Sequence, residues 1–308
     1  MPPLVSVIIP TYNHARYLAA TLESVLLQSW RPLEIVVVDD ASSDDTPAVL
    51  SAYADRIRSV RLGRNCGGPA RPRNTALGLA RGELVAVFDS DDLMVAGNLE
   101  RKVGFLQRFP EIPLVFGDFE HLHGDGRTER FLSSGHQPFH ALPREECAPR
   151  EYRLRSADVF DALVADNFVG TSGIVMRRSL PEAVGGFDES LCNADDRDFL
   201  LRVSRRFDLG FIDAVLHRHR VHPANISSRP AALQARQTVF ERLRDAGLSD
   251  TARASLDERL SELYFSRGYL ARLSGDRALA LRFYLKSWSL KKNNLRTIKS
   301  AIRALLPY

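Results

Sequence analysis

The chain has 308 residues, 44% hydrophobic and 26% charged, ordinary proportions for a globular protein that buries a core. Its net charge is +4, and six Lys/Arg residues with no acid lie between Lys286 and Tyr308, so the imbalance is a basic tail. Three widely spaced cysteines (Cys66, Cys147, Cys192) exclude a disulfide framework and a structural zinc site and point to a reducing cytosol.

Met1–Pro10 has no basic leader and reads as a strand. No apolar run approaches the ~18 residues that span a bilayer. In chain order, strands are predicted at Leu4–Ile9, Leu33–Val38, Ile57–Leu62 and Leu84–Phe88. Between the first two lies a helix with Leu18, Leu22, Val25 and Leu26 on one face and Asn13 as its cap. The next helix has Thr46 as N-cap with Pro47 at its first position, and a third runs from about Pro69 to Arg81. Strand–helix alternation with short joints predicts an α/β fold: a mostly parallel sheet with helices on both faces. A helix through Leu99, Val103 and Leu106 should end at Pro110, and Leu114–Phe119 is again a strand. Residues 121–155 show weak periodicity and read as long loops or a small insertion. Gly173–Met176 and Leu209–His217 are further strands, with a helix over Phe199–Val203. From Pro230 the pattern is helical throughout, giving expected domains at 1–229 and 230–308. Within the second, Gly268–Trp288 resembles a tetratricopeptide-like helical hairpin.

Polar clusters terminate three of these strands. Phe88-Asp89-Ser90-Asp91-Asp92 follows a buried run and delivers three acids to the edge where open α/β sheets bind ligands. Acids so close repel unless a cation or hydrogen-bond donors neutralise them; a divalent ion sharing substrate phosphates fits, as does a solvated capping loop. Asp39-Asp40 supplies a second set, suited either to a nucleobase or ribose or to capping the Ser42–Asp45 segment. Asn65-Cys66-Gly67-Gly68 leads into a helix carrying Arg73, either an anion site or an ordinary loop. His217, His219 and His222 lack the cysteine partners of a zinc site.

Val5–Asn13, Val37–Ser42, Asn65–Gly68 and Phe88–Asp92, then Gly185–Leu191 with Asp195–Asp198, and finally Arg220–Ser227, resemble the successive motifs of family 2 glycosyltransferases. The resemblance covers roughly residues 4–228 and implies an inverting enzyme of the GT-A fold, using a nucleotide-sugar donor and a divalent metal, Mn²⁺ or Mg²⁺. It implies Asp40 at the donor's base, and Pro10, Tyr12, Asn65, Arg73 and Ser90 in the nucleotide-sugar pocket. Asp89 and Asp91 fall at the ribose, pyrophosphate and metal, with His222 completing the metal set. Asp196 takes the general-base position. The family usually has Glu before that base, where this chain has Asp195. The donor would be a UDP-, GDP- or dTDP-sugar and the acceptor a glycan, lipid-linked or protein hydroxyl, as in cell-envelope polysaccharide, glycolipid or glycoprotein assembly. Such transfer needs a neutralised diphosphate leaving group and one carboxylate to deprotonate the acceptor. The rival reading is a non-catalytic nucleotide-sugar-binding or scaffolding protein on the same fold. Nucleotidyl transfer would want a Gly-rich loop and Lys where the chain has Thr11-Tyr12-Asn13-His14.

In the tail, Leu295, Ile298, Ile302 and Leu305 share one helical face beside Arg296, Lys299 and Arg303. Such a helix either contacts an anionic membrane or packs on the body or a partner subunit. The expected location is cytoplasmic, with peripheral contact at the inner membrane face as an extension of it. Nothing in the basic run suggests nucleic acid.

Overall fold

The computed structural model describes the chain except residues 134, 224, 227–229, 293–294 and 306–308, together with the side chains of 296 and 303–305. Two compact units emerge, Met1–Ala224 and Asn225–Tyr308.

The first unit opens with β1 (Val5–Thr11), α1 (Ala15–Leu26), β2 (Leu33–Asp39), α2 (Thr46–Ala52), β3 (Arg58–Arg61), α3 (Ala70–Leu79) and β4 (Leu84–Val87). Then come β5 (Leu93–Met94), α4 (Asn98–Arg108), β6 (Leu114–Leu122), β7 (Thr128–Arg130), α5 (Gln137–His140), β8 (Glu145–Ala148) and β9 (Glu151–Leu154). It closes with α6 (Ser156–Ala165), β10 (Val175–Arg177), α7 (Leu180–Val184), α8 (Asp195–Ser204) and β11 (Leu209–Arg220). The sheet runs β3-β2-β1-β4-β10-β6-β11-β9-β8, with β5 against β11 and β7 against β6. β1 is parallel to β2 and β4, and β6 to β11; β10 is antiparallel to both of its neighbours. The sheet is thus mostly parallel but mixed.

β1 is buried along its whole length because both faces are covered. Val5, Val7 and Ile9 join Ile35, Val37, Leu84, Ala86 and Phe88 in one core with Leu18, Leu22 and Val25 of α1 and Leu99, Val103 and Leu106 of α4. Each such side chain contributes about 1.5–3 kcal/mol on full burial. The alternate residues Ile8, Val36 and Val38 are also fully buried, and α3 packs against β1 and β2.

Several expected details differ. Asn13 does not cap α1: it adopts φ +55° and its carbonyl oxygen accepts from the Ser43 and Asp44 amides instead. Thr46 lies inside α2, with Asp45 at the N-cap. The Asp44 carboxylate serves both helix starts, accepting from Ala15 N at 3.0 Å and Thr46 N at 3.0 Å. The segment 121–155 is not mainly loop. β7, β8 and β9 join the sheet, with Leu154 paired to Leu209 and Tyr152 to Phe211 on β11. β11 also continues past His217 to Arg220, the extension that carries His219 toward the acids.

The second unit is helical: α9 (Pro230–Arg242), α10 (Asp250–Leu273), α11 (Arg277–Leu290) and α12 (Leu295–Leu305). Leu256, Leu260 and Leu263 of α10 are buried. α10 starts at a Ser249 cap that accepts from Ala252 N, and α11 at an Asp276 cap that accepts from Leu279 N. Gly268 sits against Tyr284, where a Cβ would come within 2.9 Å of the ring, so small size lets α10 and α11 approach. No helix among the described residues is long and apolar enough to cross a membrane.

Candidate active site

Parallel pairing brings the carboxyl ends of β1, β2 and β4 to one edge, with Thr11 opposite Asp39 and Pro10 opposite Val38. The two acids after β2 diverge. Asp39 Oδ1 accepts from Ser42 N at 2.9 Å, the capping role. Asp40, also buried, accepts from Cys66 N at 3.0 Å with both oxygens and from Asn65 Nδ2 at 2.9 Å, so it anchors the loop after β3. That loop turns at Gly67 (φ +80°). It then presses against another segment, since a Cβ on Gly68 would lie 2.8 Å from Cys192 Cα. Tyr12 is exposed beside the buried Pro10. Cys66 is partly buried.

Beyond β4, the loop 88–92 is built almost wholly from long-range contacts. Asp91 Oδ2 lies 3.0 Å from His222 Nε2. Ser90 Oγ shares a 2.7 Å hydrogen bond with His14 Nδ1, and Tyr17 stacks on His222 at 4.6 Å. His14, Asp91 and His222 each offer a ligand atom, all within 4.8 Å of one another. Burial by itself would raise the Asp91 carboxyl. The His222 hydrogen bond and the fields of His14, His219 and His222 outweigh it, and the net direction is down.

Asp92, fully buried, is structural. Its carboxylate accepts from Ser172 Oγ at 2.6 Å, Arg220 N at 3.1 Å and His219 Nδ1 at 3.1 Å. Burial pulls His219 down, but Asp92 overcomes it and lifts the imidazole to about 9. His217, by contrast, is buried behind the site and stacked on Phe119, and burial holds it well below its usual value. The three histidines of this segment therefore serve three different environments.

Arg73 rises from α3 as a nearly buried fork. Its Nη2 donates to Asp89 Oδ1 at 2.7 Å and its Nη1 to Asp195 Oδ2 at 2.6 Å. The Asp89 side chain keeps 30% exposure, yet burial still pushes its carboxyl up; Arg73 opposes the shift, and Asp92 and Asp91 add to it. Burial, opposed by Arg73 and aided by Asp196 and Asp89, pushes Asp195 to about 6. Asp195 and Asp196 open α8, where amide donors and the helix dipole favour negative charge. Ala194, just before them, is held at φ +60°, a left-handed conformation that costs a non-glycine residue about 1–2 kcal/mol. Asp196 accepts from Thr171 Oγ1 at 2.6 Å and from Arg197 N at 2.8 Å.

The turn 171–173 ties these parts together: Thr171 holds Asp196, while Ser172 donates to Asp92 and accepts from Asp89 N at 3.0 Å. Asn74 fixes the Gly185–Leu191 motif, donating to Phe187 O at 2.8 Å and accepting from Phe187 N at 2.9 Å, so that motif is a latch onto α3. Thr11 Oγ1 and Arg73 Nε are buried without a hydrogen-bond partner among the described residues. Unsatisfied polar atoms of this kind call for an explanation such as a bound group.

Of the expected site residues, contacts link Arg73 with Asp89, His222 with Asp91, and Asp40 with Asn65. Asp89 stands outside the three-residue group of possible cation ligands. His14, Thr171, Ser172 and Asn74 were not anticipated. His14 had a visible signal, an imidazole just past the first strand end, whereas Thr171 and Ser172 sit in a stretch with no pattern.

Solved structures with the same architecture include Staphylococcus aureus TarS 1-349 in complex with UDP-GlcNAc, with a TM-score of 0.61 and 23% identity over 98% of this chain and 79% of that one. The mannosyltransferase PcManGT of Pyrobaculum calidifontis, solved with GDP-Man and Mn²⁺, gives a TM-score of 0.59 and 22% identity over 99% and 88%. Both likenesses show a GT-A fold, a mostly parallel mixed sheet with helices. Residues 6–163 match the glycosyl transferase family 2 profile, and the chain belongs to that family. A relative is the Escherichia coli UDP-Glc:alpha-D-GlcNAc-diphosphoundecaprenol beta-1,3-glucosyltransferase WfgD, 32% identical over 130 residues, 42% of this chain and 51% of WfgD. The chain spans about half the length, or less, of several curated relatives it matches.

Proposed function

We propose that residues 1–229 are a catalytic domain that transfers a sugar from a nucleoside diphosphate to an acceptor hydroxyl with inversion, and that residues 230–308 are a helical extension of it. The observation that carries this reading is Asp196, partly buried at a helix start and held by Thr171. Its carboxylate would take the acceptor's proton as the hydroxyl attacks the anomeric carbon and the diphosphate leaves from the opposite face. Thr171 and the Arg197 amide would fix its orientation. Arg73 would keep Asp89 and Asp195 apart and oriented, with Asp89 and Ser90 on the donor side. A carboxylate has about four lone-pair sites, so Asp40 could hold the Asn65 loop and still accept from a nucleobase beside Pro10 and Tyr12.

His14, Asp91 and His222 would hold a divalent cation, and the donor set fits one. Two imidazoles with one carboxylate suit Mn²⁺ better than Mg²⁺, which prefers an all-oxygen shell with several waters. Such a cation would supply charge neutralisation for the leaving diphosphate. Asp89, the other expected ligand, would have to share its carboxylate between Arg73 and the cation. WfgD's named activity and the ligands of TarS and PcManGT support a nucleotide-sugar donor; UDP-, GDP- and dTDP-sugars are the candidates. A cytoplasmic location, and contact of the C-terminal helices with a membrane or a second copy, are further proposals.

A thermal-shift panel of those donors with Mn²⁺ identifies the donor, because a ligand that binds only the native state raises the melting point. NMR of the product anomer then tests the chemistry. Inversion that EDTA abolishes is expected; retention, or transfer indifferent to EDTA, would contradict the proposal.

A further inference from the structure

α12 has two unlike sides. Thr297 is buried, 3.4 Å from Ser287 on α11, and Ala301 packs on the small core of Ala271, Ala280 and Tyr284. Leu295, Ile298 and Ile302, spaced to share the other side, are 70%, 38% and 52% exposed. On α11, Leu285 and Trp288, three apart, are 52% and 40% exposed. Lys292 and Lys299 are exposed as well, and neither has an ion pair among the described residues. Lys291, their neighbour, is engaged by Glu258. Arg296 and Arg303 belong to the same basic stretch, although their side chains and that of Leu305 lie outside the described residues.

We propose that these exposed apolar residues of α11 and α12 form one face that docks on an anionic phospholipid bilayer. Charge chooses the occupant. A second copy meeting the same face across a two-fold axis would set lysines against lysines, and no acid occurs from Lys286 to Tyr308 to relieve them. Anionic headgroups complement the cations, while the isoleucines and leucine enter the acyl boundary. Lysine stems run along the apolar surface with their ammonium groups at headgroup level, and a partly exposed tryptophan suits the interface. The inference does not rest on the transferase reading: it concerns the second unit alone and is measured without sugar nucleotide.

The test is flotation of the full chain with phosphatidylcholine vesicles containing or lacking phosphatidylglycerol, with fluorescence of a Trp30→Phe variant, in which Trp288 is the remaining tryptophan, in parallel. Binding that requires phosphatidylglycerol, weakens with salt and shifts Trp288 to the blue is expected. Lys292→Ala with Lys299→Ala should weaken partitioning on the order of 30-fold, at roughly fivefold per basic residue. Leu295→Ser with Ile302→Ser should abolish flotation and leave the melting point unchanged, since these side chains are 70% and 52% exposed. Failure of the wild type to float, equal flotation on uncharged vesicles, or a dimer in sedimentation that the serine variant dissolves would overturn the proposal.

Discussion

Two carboxylates, one in the loop after β4 and one at the start of α8, sit in opposite company. Asp91 is enclosed by imidazoles, and their hydrogen bond and field pull it below the usual carboxylate range. Asp196 is partly buried and accepts hydrogen bonds from one hydroxyl and one backbone amide. Residue type is the same at both ends, so the difference lies in what the fold packs around each acid. On the proposed reading the Asp91 end holds a cation and the Asp196 end takes the acceptor's proton.

The sharpest way to break this contrast is Asp196→Asn. Loss of a general base costs about 10²–10⁴-fold in turnover, and steady-state kinetics should show it with little change in KM. Next is His14→Asn, which removes an imidazole, one of three candidate ligands, while its amide, near the place of Nδ1, can still bond Ser90. Mn²⁺ affinity by calorimetry should fall on the order of tenfold or more; second-sphere changes alone cost 10–100-fold at metal sites. Thr171→Val should lower kcat about tenfold or more by releasing Asp196 (a hydrogen bond to a charged group contributes about 1.5–3 kcal/mol), and Thr171→Ser should restore it.

A smaller effect concerns charge beneath both ends. Lys102 is buried on α4 with no hydrogen bond among the described residues, and burial lowers it from 10.5 to about 7. The unfolded chain therefore holds an extra proton between about 7 and 10.5, and stability rises with pH across that window. His219, raised from 6.5 to about 9, does the reverse: its contribution is full below 6.5 and lost as pH climbs through about 9. The two slopes oppose each other between about 7 and 9. Lys102→Met should raise the melting point at pH 7 by a few degrees, at about 2–4 °C per kcal/mol, and expose the His219 decline. Melting curves across pH check both statements.

The β1–β4 half was legible because strands buried on two faces are continuous apolar runs, and the acids beyond them stand out by contrast. β8 and β9 were not. Glu145–Ala148 and Glu151–Leu154 form an edge hairpin whose strand character comes from pairing with Phe211 and its neighbours, far away in sequence. The same divide runs through the site. Asp40, Asp89, Asp91 and Asp196 could be located from strand ends and a helix start, whereas their partners came from elsewhere in the chain. Arg73 reaches across 122 residues to Asp195, and Ser172 across 80 to Asp92. No local spacing encodes such contacts. The exposure of Ile298 and Ile302 is likewise tertiary information, since an amphipathic pattern alone fits a buried or an open face.

The separation of the two ends is tested most directly by calorimetric titration of the sugar nucleotide, with Mn²⁺, into Asp91→Ala and Asp196→Asn. The account predicts that Asp91→Ala loses metal-dependent donor binding while Asp196→Asn keeps wild-type affinity without turnover. Unchanged affinity in Asp91→Ala, or equal loss of binding in both variants, would contradict it.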